Sequence, residues 1–97
     1  MGYDKEQNLG SQCYDIFHLV LAGLTPEEAA AWNEHNHGAN LKVCARYVQA
    51  LRREGLPLLE VIPETIQERC LEGLLRECAE MPEDALRDAC RGSTRPL

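Results

Sequence analysis

His35 and His37, one residue apart and followed by Cys44, are by type the residues of this chain best suited to hold a metal ion. A structural zinc site needs four ligands in a framework of paired cysteines or histidines, and no such framework accompanies them. Within a helix the two imidazoles would point apart, so both could ligate only past the helix end. Histidines closing a helix, where protonation is favoured by the dipole, are the simpler expectation. The second set is the five cysteines, Cys13, Cys44, Cys70, Cys78 and Cys90. A cysteine nucleophile needs a base and an orienting group converging in a cleft. These cysteines instead fall mostly on apolar stripes, where a thiol acts as a small hydrophobe. Their odd number and scattered spacing argue against a disulfide framework. Cys70 and Cys78, on one predicted helix, would lie about 12 Å apart against a limit of about 7 Å. Buried free thiols in a reducing, cytoplasmic setting are expected. The carboxylates populate helix first turns and solvent faces, and there is no Gly-rich phosphate loop. No metal, no cofactor and no enzyme activity are expected.

The elements that would carry these residues read as five helices. The first covers residues 12–22, with Ser11 as N-cap. At about 100° per residue, Cys13, Ile16, Phe17 and Val20 form one stripe, which Tyr14, Leu19 and Leu21 widen on both sides. Only Asp15, His18 and Ala22 are left for the opposite face. An arc that broad points to a central helix, or to one covered by a dimer or a partner. Gly23 supplies the stop. The second helix has the strongest start signal: Thr25 as N-cap, Pro26 in the first turn, and Glu28 completing a T-x-x-E capping box beside Glu27. Ala29, Ala30 and Ala31 permit a close neighbour and Trp32 is the one large anchor; Asn36, His37 and Gly38 end it. The third helix spans residues 40–54 and stops at Gly55 and Pro57. Its core stripe is Leu41, Cys44, Val48 and Leu51, flanked by Val43 and Tyr47. The apolar stretch 56–63, LPLLEVIP, reads as an extended connector or a short strand. A fourth helix over residues 63–80 turns Ile66, Cys70, Leu71, Leu74, Leu75 and Cys78 inward, and a short fifth follows Pro82. The expected organisation is a single helical domain over residues 12–91 with flexible tails at 1–11 and 92–97: an all-α bundle with a helix-turn-helix-like core.

The pattern TPEEAAAW followed by KVCARYVQALRREGLPL resembles the helix-turn-helix cores of phage and bacterial regulators. That resemblance implies a third helix presenting Lys42, Arg46, Gln49 and Arg53 to the groove or to phosphates. Charge opposes it. Sixteen acidic residues stand against ten Lys and Arg, for a net charge of −6. The stretch after Leu56 carries nine acids against five arginines where a β-wing would be expected. Such a field works against approach to a polyanion, so nucleic acid is the alternative rather than the leading partner.

At 97 residues and 44% apolar composition the chain is one folded domain, neither disordered nor built to span a membrane. The polar N-terminus lacks the apolar region of a secretory signal, which again favours the cytoplasm. Protein recognition is the remaining class. Tyr14, Phe17, Leu21, Trp32, Arg46 and Tyr47 are the candidate contact residues, because large aromatics and arginine dominate interface energetics; homodimerisation would draw on the same apolar excess. In size, acidity, helix layout and free cysteines the chain resembles the small anti-activators of GC-rich bacteria, among them the QslA-like regulators of quorum sensing. That resemblance implies a helical dimer that sequesters a transcription factor, such as a LuxR-type receptor, by occupying its dimerisation surface.

Overall fold

The computed structural model of the protein describes residues 5–57 and 62–91, with side chains from residue 11 onward. Among these residues there are six helices and no strand: α1 (Lys5–Ala22), α2 (Pro26–Asn33), α3 (His37–Glu54), α4 (Glu64–Glu68), α5 (Glu72–Glu80) and α6 (Glu83–Arg91). The all-α expectation holds, with one helix more than the pattern predicted. The tail at 92–97 and the centre of the LPLLEVIP connector, residues 58–61, lie outside the described residues.

Three boundaries differ from expectation. α1 begins at Lys5 rather than at residue 12, so helix extends into the segment read as a tail. α2 stops at Asn33, and Asn36 becomes the N-cap of α3, its side-chain oxygen accepting from the amides of Gly38 (2.9 Å) and Ala39 (3.3 Å). His37 therefore opens a helix instead of closing one. The predicted fourth helix is two helices, α4 and α5, separated at Cys70.

These helix ends share one device. After α3, Gly55 takes the left-handed conformation (φ +70°) and the Leu56 amide reaches back to the Leu51 carbonyl at 2.9 Å. The Schellman geometry satisfies carbonyls that would otherwise be orphaned. The same arrangement recurs after α2, with His35 at φ +60° and Asn36 bonded to the Ala31 carbonyl at 3.0 Å. It recurs after α4, with Cys70 at φ +57° and Leu71 bonded to the Ile66 carbonyl at 3.0 Å. A non-glycine residue there costs about 1–2 kcal/mol of backbone strain. At Cys70 the burial of the flanking Ile66 and Leu71 offsets it. The turn also places Cys70 on the surface, where the sequence pattern had it facing inward.

α3 is the central helix and packs against α1, α2, α5 and α6. Val43, Cys44, Ala45, Tyr47, Val48 and Leu51 are all buried along it. α1 contributes Cys13 and Phe17 to this core, α4 Ile66, α5 Leu75 and Cys78, and α6 Leu86 and Cys90. Phe17 sits between two aromatic neighbours, edge-on to Tyr47 at 5.3 Å and to Trp32 at 6.5 Å between ring centroids. The outer face of Trp32 is covered by the Arg69 guanidinium, 4.2 Å from the ring centroid. Phe17 thus ties α1 to both α2 and α3. Phe17→Ala should cost about 3–5 kcal/mol, read from urea denaturation followed by circular dichroism. A loss below about 1 kcal/mol would mean that this ring does not hold α1 in place.

Candidate functional site

The basic stripe of α3 is largely engaged within the fold. Glu28, in the first turn of α2, reaches across to it. One carboxylate oxygen, Oε1, accepts from the Thr25 amide at 3.0 Å and from Arg46 Nη1 at 3.2 Å. The other, Oε2, accepts from Lys42 Nζ at 2.7 Å and from Arg46 Nη2 at 3.1 Å. The capping box expected at Thr25 is present, with the Glu28 amide donating to Thr25 Oγ1 at 3.1 Å. The same carboxylate therefore caps α2 and engages two of the four residues offered as a DNA-reading face. Gln49 accepts from the Cys90 thiol at 3.5 Å, and Arg46 Nε donates to the Cys90 carbonyl at 3.3 Å. Of Lys42, Arg46, Gln49 and Arg53, only Arg53 is exposed, and among the described residues its side chain makes no salt bridge. α3 is a packed central helix with helices against most of its circumference, not one standing clear to enter a groove.

The donors around Glu28 hold its carboxyl down at about pH 2, with the Lys42 ammonium the largest cause, then the Thr25 amide. Its charged form is favoured by folding. The associated stability is complete above the unfolded value of about 4.3 and is lost as pH falls towards about 2. Glu28→Gln keeps the shape and the capping contact but removes the charge. It should lower stability by about 1–2 kcal/mol at neutral pH. The stability curves of the two proteins should converge on acidification; parallel curves down to the acid limit would deny Glu28 this role.

The candidate partner residues do not form one surface. Phe17, Trp32 and Tyr47 lie in the core, so their expected role as partner contacts is corrected to a packing role. Leu21 and Arg46 are half-buried, and Tyr14 remains 40% exposed. The residue missing from that set is Leu19, 71% exposed and, with Tyr14, the large apolar side chain left open among the described residues. It lines a groove of about 430 Å³ between α1 and α3, together with Ile16, Val20, Ala50 and Arg53. A smaller pocket of about 270 Å³, sharing Ile16 and Glu54 with it, is lined by Gln12, Asp15, Ile16, Glu54 and Leu56. Leu19 had been visible only as one of the residues widening the α1 stripe; its exposure depends on which side α3 takes. A separate, mostly apolar cavity of about 280 Å³ lies between α2 and α3, with Leu24, Ala31, Leu41, Val43 and Ala89 in its walls and Lys42 and Glu28 among its lining residues.

Cys13, Cys44, Cys78 and Cys90 are buried, and burial raises all four thiols, Cys44 to about 12 and Cys78 to about 11. Their sulfurs stay protonated at neutral pH and are poor nucleophiles. The Tyr47 hydroxyl is pushed up as well, by burial first and by the neighbouring Cys13 next. Among the described residues, no three or more His, Cys, Asp and Glu side chains gather in a metal-holding group. Titration with a chromogenic disulfide should find one thiol, Cys70, in the native protein and the full five on unfolding. Several fast-reacting thiols in the native state would mean that the core opens readily. No family model, curated protein or solved structure matches this chain.

Proposed function

We propose that this protein is a non-enzymatic regulator that binds and sequesters another protein, the partner class being a transcription factor such as a LuxR-type quorum-sensing receptor. The partner class comes from the likeness to small helical anti-activators. The observation that carries the interaction itself is on α1: Leu19 at 71% and Tyr14 at 40% exposure are open on a helix whose main packing partner is α3. Large apolar side chains left open to solvent are what a protein partner covers. The engagement of Lys42 and Arg46 by Glu28 supports the same choice, because it leaves α3 with little cationic surface for phosphate. No helix among the described residues is long and apolar enough to cross a membrane.

The test is capture on tagged protein from lysate of the source organism, with nuclease present and at raised salt, compared between the wild type and Tyr14→Ala. One protein retained by the wild type under both conditions, and reduced about tenfold or more by the substitution, is the expected result. Recovery that collapses with nuclease would replace this reading with nucleic-acid binding.

A further inference from the structure

We infer that the cavity between α2 and α3 is a binding site for a small uncharged carbonyl compound, its apolar body held by the walls and its oxygen accepting from Lys42. No residue of α1 lines this cavity, so the inference goes beyond the proposed function and does not depend on it. The apolar walls are Leu24, Ala31, Ala39, Leu41, Val43 and Ala89, drawn from α2, α3, α6 and the turn before α2. All but Val43 are half-buried, so apolar surface remains there for an occupant to cover. The space exists because Ala31, Ala39 and Ala89 put only methyl groups where three helices converge. Its volume of about 280 Å³ is ample, since roughly 150 Å³ of apolar cavity suffices for benzene. Apolar walls with one fixed polar group are the usual make-up of a small-molecule site.

Charge selects the head group. Glu27, Glu28 and Lys42 bring both signs to the wall, and Glu28 is already shared by Lys42 and Arg46. A ligand charged in either sense would leave water to face a like charge on this wall, at a cost. A carbonyl oxygen requires one donor only. The Lys42 ammonium has three N–H groups. Among the described residues Glu28 is its acceptor, at 2.7 Å. A second oxygen at the wall can take another of these donors, and an uncharged one leaves the pair with Glu28 in place.

The probe is acetophenone, titrated into the full chain and followed by amide proton–nitrogen correlation spectra. It should bind saturably, with a dissociation constant on the order of a millimolar or below. The shifts should centre on Leu24, Ala31, Ala39 and Ala89. Ala31→Leu and Ala89→Leu, each checked for native helicity, should weaken binding about tenfold or more by filling the cavity. Lys42→Met should weaken acetophenone about fivefold or more and leave ethylbenzene, which lacks the oxygen, within about twofold. Benzoate and benzylammonium should each bind about tenfold or more weakly than acetophenone. Absence of saturable binding, shifts centred on the groove between α1 and α3, or an affinity unchanged in both leucine variants overturns the site. A charged analogue that binds as tightly as acetophenone, or Lys42→Met acting equally on both neutral probes, overturns the ligand class.

Discussion

Glu28 joins the start of α2 to the middle of α3. Its two oxygens accept from four donors: the Thr25 amide, the Lys42 ammonium and both terminal nitrogens of Arg46. A carboxylate at the start of a short helix is stabilised by the dipole. Here it is also pinned by a forked guanidinium, which fixes direction as well as charge. α2 is only eight residues long and would be marginal alone. The capping box starts it, and Glu28 docks it on α3 in the orientation that lets Trp32 reach Phe17. Through Arg46 the same node extends to the Cys90 carbonyl in the last turn of α6.

Arg46 belongs to a wider pattern in how this acidic protein uses its few cations. Arg52 Nη2 donates to the carbonyls of Ala79 (2.7 Å) and Met81 (2.8 Å) at the end of α5. Arg69 Nη1 donates to the Trp32 carbonyl at the end of α2 while its guanidinium lies over the indole. Three arginines therefore each close a different helix. Every helix end leaves carbonyls without intrahelical partners, and a cation there satisfies both hydrogen bonding and the dipole. Cations committed to carbonyl ends contribute little to a phosphate-binding surface, and among the described residues exposed carboxylates outnumber exposed arginines. The contradiction between a helix-turn-helix outline and a net charge of −6 is resolved in this way. The outline is a local consequence of one capping box and one tight turn, and the charge distribution is a consequence of joining short helices.

Much of the fold was legible because its signals are local. Thr25, Pro26 and Glu28 start α2, Gly55 ends α3, and the inward stripes of α3 and α5 follow from periodicity. The misread boundaries have a common cause. Where the left-handed cap is glycine the stop was visible; where it is His35 or Cys70 the residue type carried no signal, and two helices were read as longer than they are. The site was less legible than the fold. Phe17, Trp32 and Tyr47 were offered as contact residues because aromatics serve cores and interfaces equally well. Only the close approach of α1, α2 and α3 around one another makes them core. Leu19 and Val20 are neighbours in an apolar run, yet one is open and the other half-buried; no property of the residues distinguishes them until α3 takes its side.

That asymmetry gives α1 its character. Cys13 and Phe17 anchor it from within, by a thiol beside Tyr47 and a ring wedged between Tyr47 and Trp32. These contacts occupy one face of the helix. Around its circumference the apolar residues continue past the anchored face on both flanks, to Leu19 on one and Tyr14 on the other. A helix that only had to complete this core could carry polar residues at both positions at no cost to packing. The flanks are also chemically unlike. One opens into a groove with charges of both signs ranged along it, and the other ends in a phenol that can donate or accept a hydrogen bond. A neighbour could therefore use either flank of α1 without displacing the aromatic cluster that holds it.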